Sequence, residues 1–558
     1  MVNAWSHQLC VFLILEREAM VAAQRGFVMT GPSILKPSRR RFLQLSGKAA
    51  AACSAISVAM PAISRAADRP QVSCGLQSGD VTQSNAMVWA RADRPARMHF
   101  DVSATESFRD ILHSVWIDAL PETDLTGKAL IEALPAGRDI FYRVRLQNLS
   151  EPAIFGDPVT GRLRTAPDGN RDVSFCFSGD TAGQGWGIDV ARGGMRIYEV
   201  MRQNRPDFFI HSGDNIYADN PVVAEQTMPD GGTWKNLVTE EKSKAAETLA
   251  EFRGAWKYNW LDANFRAFHA EVPVFAQWDD HEVFDNWWPQ KPLDIPALAA
   301  RKYTEKTAMI LQARSSRALR EYTAIPVDSR EQGRVYRKIG YGPLVDVFML
   351  DMRSYRAANG DNRQVAEGPE TVFLGAPQLA WLKHELKASK AMWKIIAADM
   401  PIGLIVYEDF RAKTGSEAIA QGDGPPLGRE LEIAGLLSFI KHAAIVNTVW
   451  VTADVHYAAA HYYDPGKAQF QDFEPFWEFV GGPLHAGGFG PNTLDSTFGP
   501  QAVFVKAPPN GQFNLPPVDG TQFFGHAAID GKTGVLTVTL KDNTNASLYS
   551  VQLEPKLR

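Results

Sequence analysis

The sequence has few cysteines and no excess of positive charge. Of its 558 residues only four are cysteines, and two of these, Cys10 and Cys53, lie near the N-terminus. The remaining two, Cys74 and Cys176, are too few for a disulfide-rich scaffold. A net charge of -5 at pH 7 excludes the broad basic surface that binds a nucleic-acid backbone. An anionic substrate would therefore have to meet a local positive site, such as bound metal.

Long hydrophobic runs are also missing. The most apolar stretch near the N-terminus, residues 45–63, is rich in alanine, contains Lys48 and is too short for a convincing membrane span. We therefore expect no transmembrane segment. The chain has no Gly-x-Ser-x-Gly nucleophile motif, which argues against a serine hydrolase of that type. With 45% hydrophobic and 22% charged residues, the composition is that of a folded globular protein.

An export signal precedes that alanine-rich stretch. Residues 38–44 read Ser-Arg-Arg-Arg-Phe-Leu-Gln, and small residues near Ala66 offer cleavage sites. This pattern predicts a twin-arginine signal, recognition by the twin-arginine export machinery, and a periplasmic or secreted location. The alternatives are a chance basic cluster on a disordered tail and a lipid anchor at Cys53. We assign residues 1–67 to this leader.

Two domains are expected after the leader. Residues 68–166 contain short alternating strands, which are typical of a small fibronectin- or immunoglobulin-like β-sandwich. A turn-rich junction follows, and in residues 167–558 strands alternate with helices, which predicts a layered α/β domain. The strands are expected at 86–91, 98–102, 140–146, 173–177, 207–211, 274–277, 344–350, 394–398, 448–452, 534–540 and 547–553. The helices are expected at 195–203, 247–268, 297–323, 378–388 and 430–442.

Acidic residues recur just past the ends of predicted strands, where open α/β sheets bind ligands. Four places stand out, and they contain Asp180, Asp214, Asp280 and Asp454. For any one of them, a helix cap or a turn is an equally good explanation. Several carboxylates at one sheet edge would repel each other, and multivalent cations would remove that repulsion. The set therefore predicts a metal centre.

The motifs around these acids resemble those of a known family. They are Gly-Asp-Asn-Ile-Tyr at 213–217, Asp-Asp-His-Glu at 279–282 and Asp-Val-His at 454–456, with support from residues 74–80, 350–356 and 482–487. This ordered set resembles the PhoD-like alkaline phosphatases of the calcineurin-like metallophosphoesterase superfamily. The resemblance spans about residue 71 to the C-terminus. It implies a metallophosphoesterase-type two-sheet α/β sandwich behind the N-terminal β domain.

The resemblance also implies a set of metal ligands. Asp214 would bridge two metal ions. Asp180, Tyr217 and His456 would complete the first ion's site, and Asp280, Asp454 and Asp399 the second. Members of the family commonly have a cysteine where this chain has Asp180, so a hard ligand replaces a soft one.

The ligand types favour particular cofactors. A tyrosinate, carboxylates and one imidazole suit ferric iron, Fe³⁺, as the family implies, and an all-oxygen second site suits calcium, Ca²⁺. Manganese, Mn²⁺, magnesium, Mg²⁺, or zinc, Zn²⁺, are the alternatives.

Three further residues are candidates for direct roles. His281 is expected to act as the leaving-group acid or to donate to phosphate, unless it only bonds neighbouring carboxylates. Arg353 is a candidate to hold a phosphate oxygen, and a surface ion pair is its alternative. Asn286 is expected either to support the ligands or to touch the substrate.

The resulting interpretation is an exported, metal-dependent phosphoesterase. Its substrate would be a phosphate monoester or diester, hydrolysed by activated water. A phospholipase D-like phosphodiesterase on the same scaffold is the nearest alternative. An alternative of another class is a non-catalytic envelope or carbohydrate-binding protein, which the β-sandwich suggests.

Overall fold

The computed structural model describes residues 69–327, 331, 333–409, 411–509 and 512–557. The leader predicted for residues 1–67, with its export signal, lies outside the described residues. None of the described helices combines the length and the apolar character needed to cross a bilayer.

The N-terminal part of the described chain is a β-sandwich. One layer has the order β4-β3-β6-β7, and the facing layer contains β1, β2 and β5. Along β6, buried and partly exposed residues alternate, as the sequence pattern predicts. The strands are β1 Val72–Gly79, β2 Ala86–Ala92, β3 Ala96–Ser103, β4 Ile111–Ala119, β5 Thr126–Ile131, β6 Asp139–Asn148 and β7 Val159–Arg164.

Two larger sheets follow, and helices accompany them in the chain. The strands are β8 Val173–Ser178, β9 Phe208–His211, β10 Glu225–Thr227, β11 Thr233–Lys235, β12 Val274–Ala276, β13 Arg337–Tyr341, β14 Val345–Met349, β15 Trp393–Ala397, β16 Tyr407–Asp409, β17 Thr414–Ser416, β18 Thr448–Thr452, β19 Ala458–Tyr463, β20 Phe476–Val480, β21 Pro500–Lys506, β22 Phe523–Ile529, β23 Leu536–Asp542 and β24 Ser547–Leu553. The helices are α1 Arg196–Gln203, α2 Leu249–Asn259, α3 Ala263–Glu271, α4 Ala308–Tyr322, α5 Ala376–Ala388 and α6 Glu430–His442.

The strand order places parallel strands at the centre of both sheets. One sheet has nine strands in the order β24-β23-β22-β8-β9-β12-β1-β2-β5, and the other has seven in the order β13-β14-β15-β18-β20-β19-β21. Strands β8, β9 and β12 run parallel, as do β14, β15, β18 and β20. The N-terminal layer is continuous with the nine-stranded sheet, because Gly79 of β1 pairs with Val274 of β12.

Aromatic side chains fill the space between the two large sheets. Phe208 stacks between Phe175 and Phe275, with ring centroids 4.9 and 4.6 Å away, and also contacts Tyr341 of the seven-stranded sheet at 4.7 Å. All four side chains are buried in one apolar core. The expected two-sheet α/β sandwich with a preceding β-sandwich is confirmed.

Two predicted helices are wrong in extent. The single helix expected at 247–268 is two helices, α2 and α3, because the backbone of Asp262 is extended and its side chain caps α3. The helix expected at 297–323 begins only at Ala308, after a short 3₁₀ turn at Pro296–Arg301 and the capping residue Thr307. In both places a short polar side chain satisfies free backbone N–H groups and starts a new helix.

The cap at Asp262 predicts a stability effect. Its carboxylate accepts hydrogen bonds from the backbone N–H of Phe265 at 2.9 Å and of Met195 at 3.0 Å, both buried. We expect Asp262→Ala to lower the free energy of unfolding by about 2–3 kcal/mol, since it leaves two donors unpaired. Asp262→Asn keeps the cap and should lose about 1 kcal/mol. Urea unfolding measures both values, and equal losses would contradict this explanation.

Candidate metal centre

The loops that follow five strands of the two large sheets meet at one place. Asp180 follows β8, Asp214 follows β9, and Asp280 follows β12 of the nine-stranded sheet. Asp399 follows β15, and the segment 454–456 follows β18 of the seven-stranded sheet. Because parallel strands end at the same sheet edge, their loops bring residues from distant parts of the chain together.

One group of ligand atoms forms around His456. Its Nε2 lies 2.7 Å from the hydroxyl of Tyr217 and 3.3 Å from a carboxylate oxygen of Asp180. Its Nδ1 donates to the carbonyl of Gly487 at 2.6 Å, which leaves Nε2 free to face the other two side chains. Atoms about 3 Å apart are suitably spaced to share one cation at about 2.1 Å.

Three adjoining groups of side chains could each hold a cation. In the first, which includes His456, Asp180, Asp214 and His456 can present atoms within 4.8 Å of one another. In the second, Asp214, Asp280 and His281 can do the same. Asp279, Asp280 and Asp454 form a third such group. Asp214 is shared by the first two groups and Asp280 by the last two. The structure thus brings the predicted acids together and adds Asp279, for which the only sequence signal was the Asp279–Asp280 pair.

Several carboxylate oxygens of the site have no hydrogen-bond partner among the described residues. Asp180 has no exposed surface, and neither of its oxygens accepts a hydrogen bond from the described residues. One oxygen each of Asp279 and Asp399 is in the same situation. A buried carboxylate without hydrogen bonds is strongly unfavourable unless a cation lies next to it. The side chains therefore fit multivalent cations with oxygen and imidazole ligands.

The backbone at the site is strained. Asp180, Asp214, Asp454 and His456 all have positive φ angles, between 51° and 70°. This conformation costs non-glycine residues about 1 kcal/mol or more each and is concentrated at functional sites. Gly213, with φ +107°, is needed before Asp214 because a Cβ there would lie 2.4 Å from the Cβ of Asp279.

Burial shapes the electrostatics. Burial raises the pKa of Asp214 well above its usual range, and the charges of Asp280 and Glu282 add to this effect. Burial together with Asp214 and Asp180 raises the pKa of the Tyr217 hydroxyl well above its usual range. Both groups therefore resist ionisation unless positive charge is nearby.

His281 is held between the ligands and a buried acid. Its backbone N–H donates to Asp214 at 3.0 Å, and its Nδ1 lies 2.7 Å from a carboxylate oxygen of Asp219. Its Nε2 lies 3.9 Å from Asp280, and its ring stacks on Tyr217 with centroids 4.2 Å apart. Burial alone would lower the pKa of His281, but Asp219, Asp280 and Asp214 raise it well above its usual range.

Sequence reasoning missed Asp219. Its carboxylate is fully buried and pairs with Arg301 at 2.8 Å as well as with His281. Its position two residues after Tyr217, within the same loop, was the available signal. The contact fixes His281 so that Nδ1 donates to Asp219 and Nε2 faces Asp280 and Asp285.

Arg353 is buried behind the acids. It has no exposed surface, so the surface ion pair considered as its alternative is wrong, while its contact with a phosphate oxygen stays a prediction. Its Nε donates to Asp279 at 2.6 Å and to Asp399 at 3.2 Å, and its Nη2 lies 3.7 Å from Asp454. Its Nη1 donates to Glu417. Arg353 is therefore an internal counter-charge behind the carboxylates.

Glu417 is a second residue that the sequence did not reveal. It bonds both Arg353 and Arg356 and follows β17 at a distance from every motif. Although burial opposes its ionisation, Arg353, Arg356 and Arg429 lower the pKa of Glu417 to about 2. These charges form a buried layer under the site.

Asn286 and Asp399 contact the site without joining the three groups. The backbone N–H of Asn286 donates to Asp280 at 2.5 Å. Asp399 joins none of the three candidate groups among the described residues and bonds Arg353 instead.

Trp278 and Trp287 are core residues, while Trp288 is half-buried and lines a cavity of about 570 Å³. Cys74 and Cys176 are free and buried, so they do not pair.

Together, the paired sheets form a metallophosphoesterase-type α/β fold, and the cluster of acids and histidines lies where the strands of both sheets end. Comparisons with known proteins agree. The profile of the PhoD-like phosphatase family matches residues 175–540, and that of the family's N-terminal domain matches residues 57–167. The chain belongs to the PhoD-like phosphatase family and is a phosphoric ester hydrolase.

Individual relatives show the same likeness. The chain is 26% identical over 490 residues to alkaline phosphatase D of Bacillus subtilis (strain 168), covering 81% of this chain and 77% of that protein. A solved structure of PhoD superposes with a TM-score of 0.63 at 19% identity, covering 86% of this chain and 88% of that one. The solved structure of purple acid phosphatase PPD1 of yellow lupin (Lupinus luteus) superposes with a TM-score of 0.51 at 12% identity. The match covers 87% of this chain and 74% of that one.

The unpartnered carboxylate of Asp180 predicts opposite effects with and without metal. In metal-free protein, Asp180→Asn removes an uncompensated buried charge, so we expect a gain of about 1–3 kcal/mol in unfolding free energy. In protein with metal, the same change should weaken metal binding and lower stability. Denaturant unfolding with and without chelator, together with metal analysis, tests both. The control Asp139→Asn changes a half-exposed carboxylate paired with Arg164 and should shift stability by less than about 0.5 kcal/mol.

Proposed function

We propose that the protein hydrolyses phosphate monoesters or diesters with the help of at least two metal ions. The observation that carries this proposal is the set of three adjoining acid and histidine groups, in which both oxygens of Asp180 and one oxygen of Asp279 lack protein partners. Membership of the PhoD-like phosphatase family supports the same reaction.

The ligand assignment follows from the groups. We propose that Asp180, Tyr217, Asp214 and His456 hold one ion. Asp214, Asp280 and Asp454 would hold the other, with Asp279 as a further candidate. Asp399 is retained as a proposed ligand through its unpartnered oxygen, although its other oxygen bonds Arg353.

The bound ions would neutralise phosphoryl oxygens and lower the pKa of water for in-line attack. The chain's own residues would do the rest. Asp214 holds the loop of His281 through the backbone N–H of His281. Buried Arg353 holds Asp279 and Asp399 in place and offsets part of their charge, so we propose a positioning role for it.

His281 is the proposed proton donor to the leaving group. Asp219 accepts from Nδ1, so Nε2 is directed to the side of Asp280, where an ester oxygen would bind. A protonated imidazole in that position would give up its proton as the ester bond breaks.

The metals are proposed to be ferric iron beside Tyr217 and calcium at the all-oxygen site, with manganese, magnesium or zinc as alternatives. The support for iron is the phenol, whose burial opposes ionisation unless a strongly charged cation binds it. Asp180 keeps this site anionic.

Purified protein tests these assignments. We expect bound metal, a visible absorption band from tyrosinate on ferric iron, and hydrolysis of p-nitrophenyl phosphate that chelation abolishes. Tyr217→Phe should bleach the band. Tyr258→Phe, a buried tyrosine that bonds Leu237 and Ile188 instead, should keep it. A colourless, iron-free and active protein would refute iron only, whereas a metal-free active protein would refute the mechanism.

The proton-donor role predicts a dependence on the leaving group. His281→Asn should reduce kcat/KM for phenyl phosphate by about 10²–10⁴-fold, because phenolate leaves poorly without a proton. The loss for p-nitrophenyl phosphate should be much smaller, since its leaving group needs less protonation. Equal losses for the two esters would show that His281 acts only by holding its neighbours.

Two alternatives remain for measurement. Relative rates on bis(p-nitrophenyl) phosphate and p-nitrophenyl phosphate separate a phospholipase D-like phosphodiesterase from a phosphomonoesterase. A non-catalytic envelope protein would bind no metal and would be unaffected by Asp214→Asn.

We further propose that the twin-arginine machinery exports the protein to the periplasm or medium. We also propose that the chain divides into a leader at 1–67, a β domain at 68–166 and a catalytic domain at 167–558.

A further inference from the structure

The side of the metal centre near His456 carries an aromatic wall, which we define as Phe489 and Phe513. The ring of Phe489 stacks on His456, with centroids 4.5 Å apart and planes 25° apart. Phe513 stacks on Phe489 in turn, at 5.7 Å and 27°. The three rings therefore form a continuous stack from a candidate metal ligand outwards. The outermost residue, Phe513, is 68% exposed.

The wall is held in place by the backbone behind it. Gly488 and Leu515 exchange two hydrogen bonds, at 3.0 and 3.1 Å, so the segments carrying the two phenylalanines are paired directly. Between Phe513 and Leu515, the side chain of Asn514 accepts from the indole N–H of Trp186 at 2.7 Å. Phe513 is thus fixed on Phe489 by its neighbours.

Apolar side chains also pack against the backbone next to Phe489, at Gly488. The α-carbon of Gly488 faces Pro508 and the side chain of Leu515. A side chain larger than glycine at position 488 would crowd this surface, with Pro508 only 3.3 Å from its Cβ. An exposed phenyl ring beside apolar neighbours and next to a reaction centre is suited to an apolar or planar ligand group.

The position of the stack limits what it can bind. His456 Nε2 faces Tyr217 and Asp180, so a phosphoryl group bound at this centre would lie beside the edge of the His456 ring. Phe489 covers one face of that ring. An organic group attached to the phosphorus can therefore extend from the centre along Phe489 to Phe513.

We propose that Phe489 and Phe513 bind the organic group of the substrate, and that the enzyme prefers phosphate esters with a planar or apolar group over those with a small alkyl group. This inference rests on the proposed function. It assigns the two residues a role in specificity: they would contact the substrate without taking part in proton transfer or metal binding.

Two inhibitors that the enzyme cannot cleave test the wall without interference from leaving-group chemistry. Phenylphosphonate and methylphosphonate share a phosphonate head and differ only in the group on phosphorus. We expect phenylphosphonate to inhibit the parent enzyme more strongly. Phe513→Ser should weaken inhibition by phenylphosphonate about 3- to 10-fold, the value of one lost aromatic contact. Inhibition by methylphosphonate should change by less than about 2-fold, because a methyl group does not reach Phe513.

Controls separate contact from damage. Trp116→Ser removes another exposed aromatic ring, 60% exposed on β4, and should leave both inhibition constants unchanged. Phe489→Leu should also weaken phenylphosphonate selectively. Metal content is measured alongside, because Phe489 touches His456, and unchanged metal with a changed inhibitor ratio supports contact.

The outcomes distinguish this inference from the proposed function. If both phosphonates inhibit and Phe513→Ser leaves their ratio unchanged, the wall does not bind substrate, while the phosphoesterase assignment stands. If both inhibition constants rise equally and metal is lost, the rings only support His456 and the inference is wrong. If neither phosphonate binds and no ester is hydrolysed, the proposed function fails and the inference with it.

Discussion

Mutual repulsion among buried carboxylates is the constraint on which the rest of the structure depends. Asp180, Asp214, Asp279, Asp280 and Asp454 are brought to one place by loops from two sheets, and most of their surface is buried. No protein hydrogen bond reaches either oxygen of Asp180 from the described residues. Such an arrangement stores unfavourable energy that a bound multivalent cation converts into binding affinity. Positive φ angles at four of the site residues add to that stored strain.

Arginine side chains neutralise one side of this cluster. Arg353 reaches Asp279, Asp399 and Glu417 from below, where Arg356 and Arg429 also lie. At the opposite side, around Asp180 and Asp214, no guanidinium among the described residues forms an ion pair with either acid. The fixed positive charge of Arg353 thus holds Asp279 and Asp399, while Asp180 and Asp214 are left without an arginine partner among the described residues.

Much of the fold and part of the site could be predicted from the sequence. The alternation of apolar and polar residues predicted the N-terminal sandwich. The position of acids after predicted strands identified Asp180, Asp214, Asp280 and Asp454, because ligand-binding loops follow strand ends in α/β sheets. Partners that depend on contacts distant in sequence were missed. Glu417 and Arg353 are 64 residues apart, and nothing local signals their bond. The bonds of Arg353 to Asp279 and Asp399 were missed for the same reason, since burial is a property of the packed structure.

Helix boundaries were also hard to predict from the sequence, because they too depend on contacts that are distant in the chain. Residues 247–268 have enough apolar and helix-forming residues for one helix, yet the first helix ends at Asn259 and Asp262 caps a second one. Its second partner, the N–H of Met195, lies 67 residues away. A polar residue inside a helical pattern therefore becomes a cap when a distant donor is also available to it.

Strand β8, which precedes Asp180, pairs with one strand that is close to it in the sequence and with one that is synthesised much later. On one side it pairs with β9, about thirty residues later, and on the other with β22, more than 340 residues later. Until the ribosome has released that last part, β8 is an open sheet edge on the side of β22. The cluster of acids is therefore expected to assemble late in folding, once β8 and β22 have met.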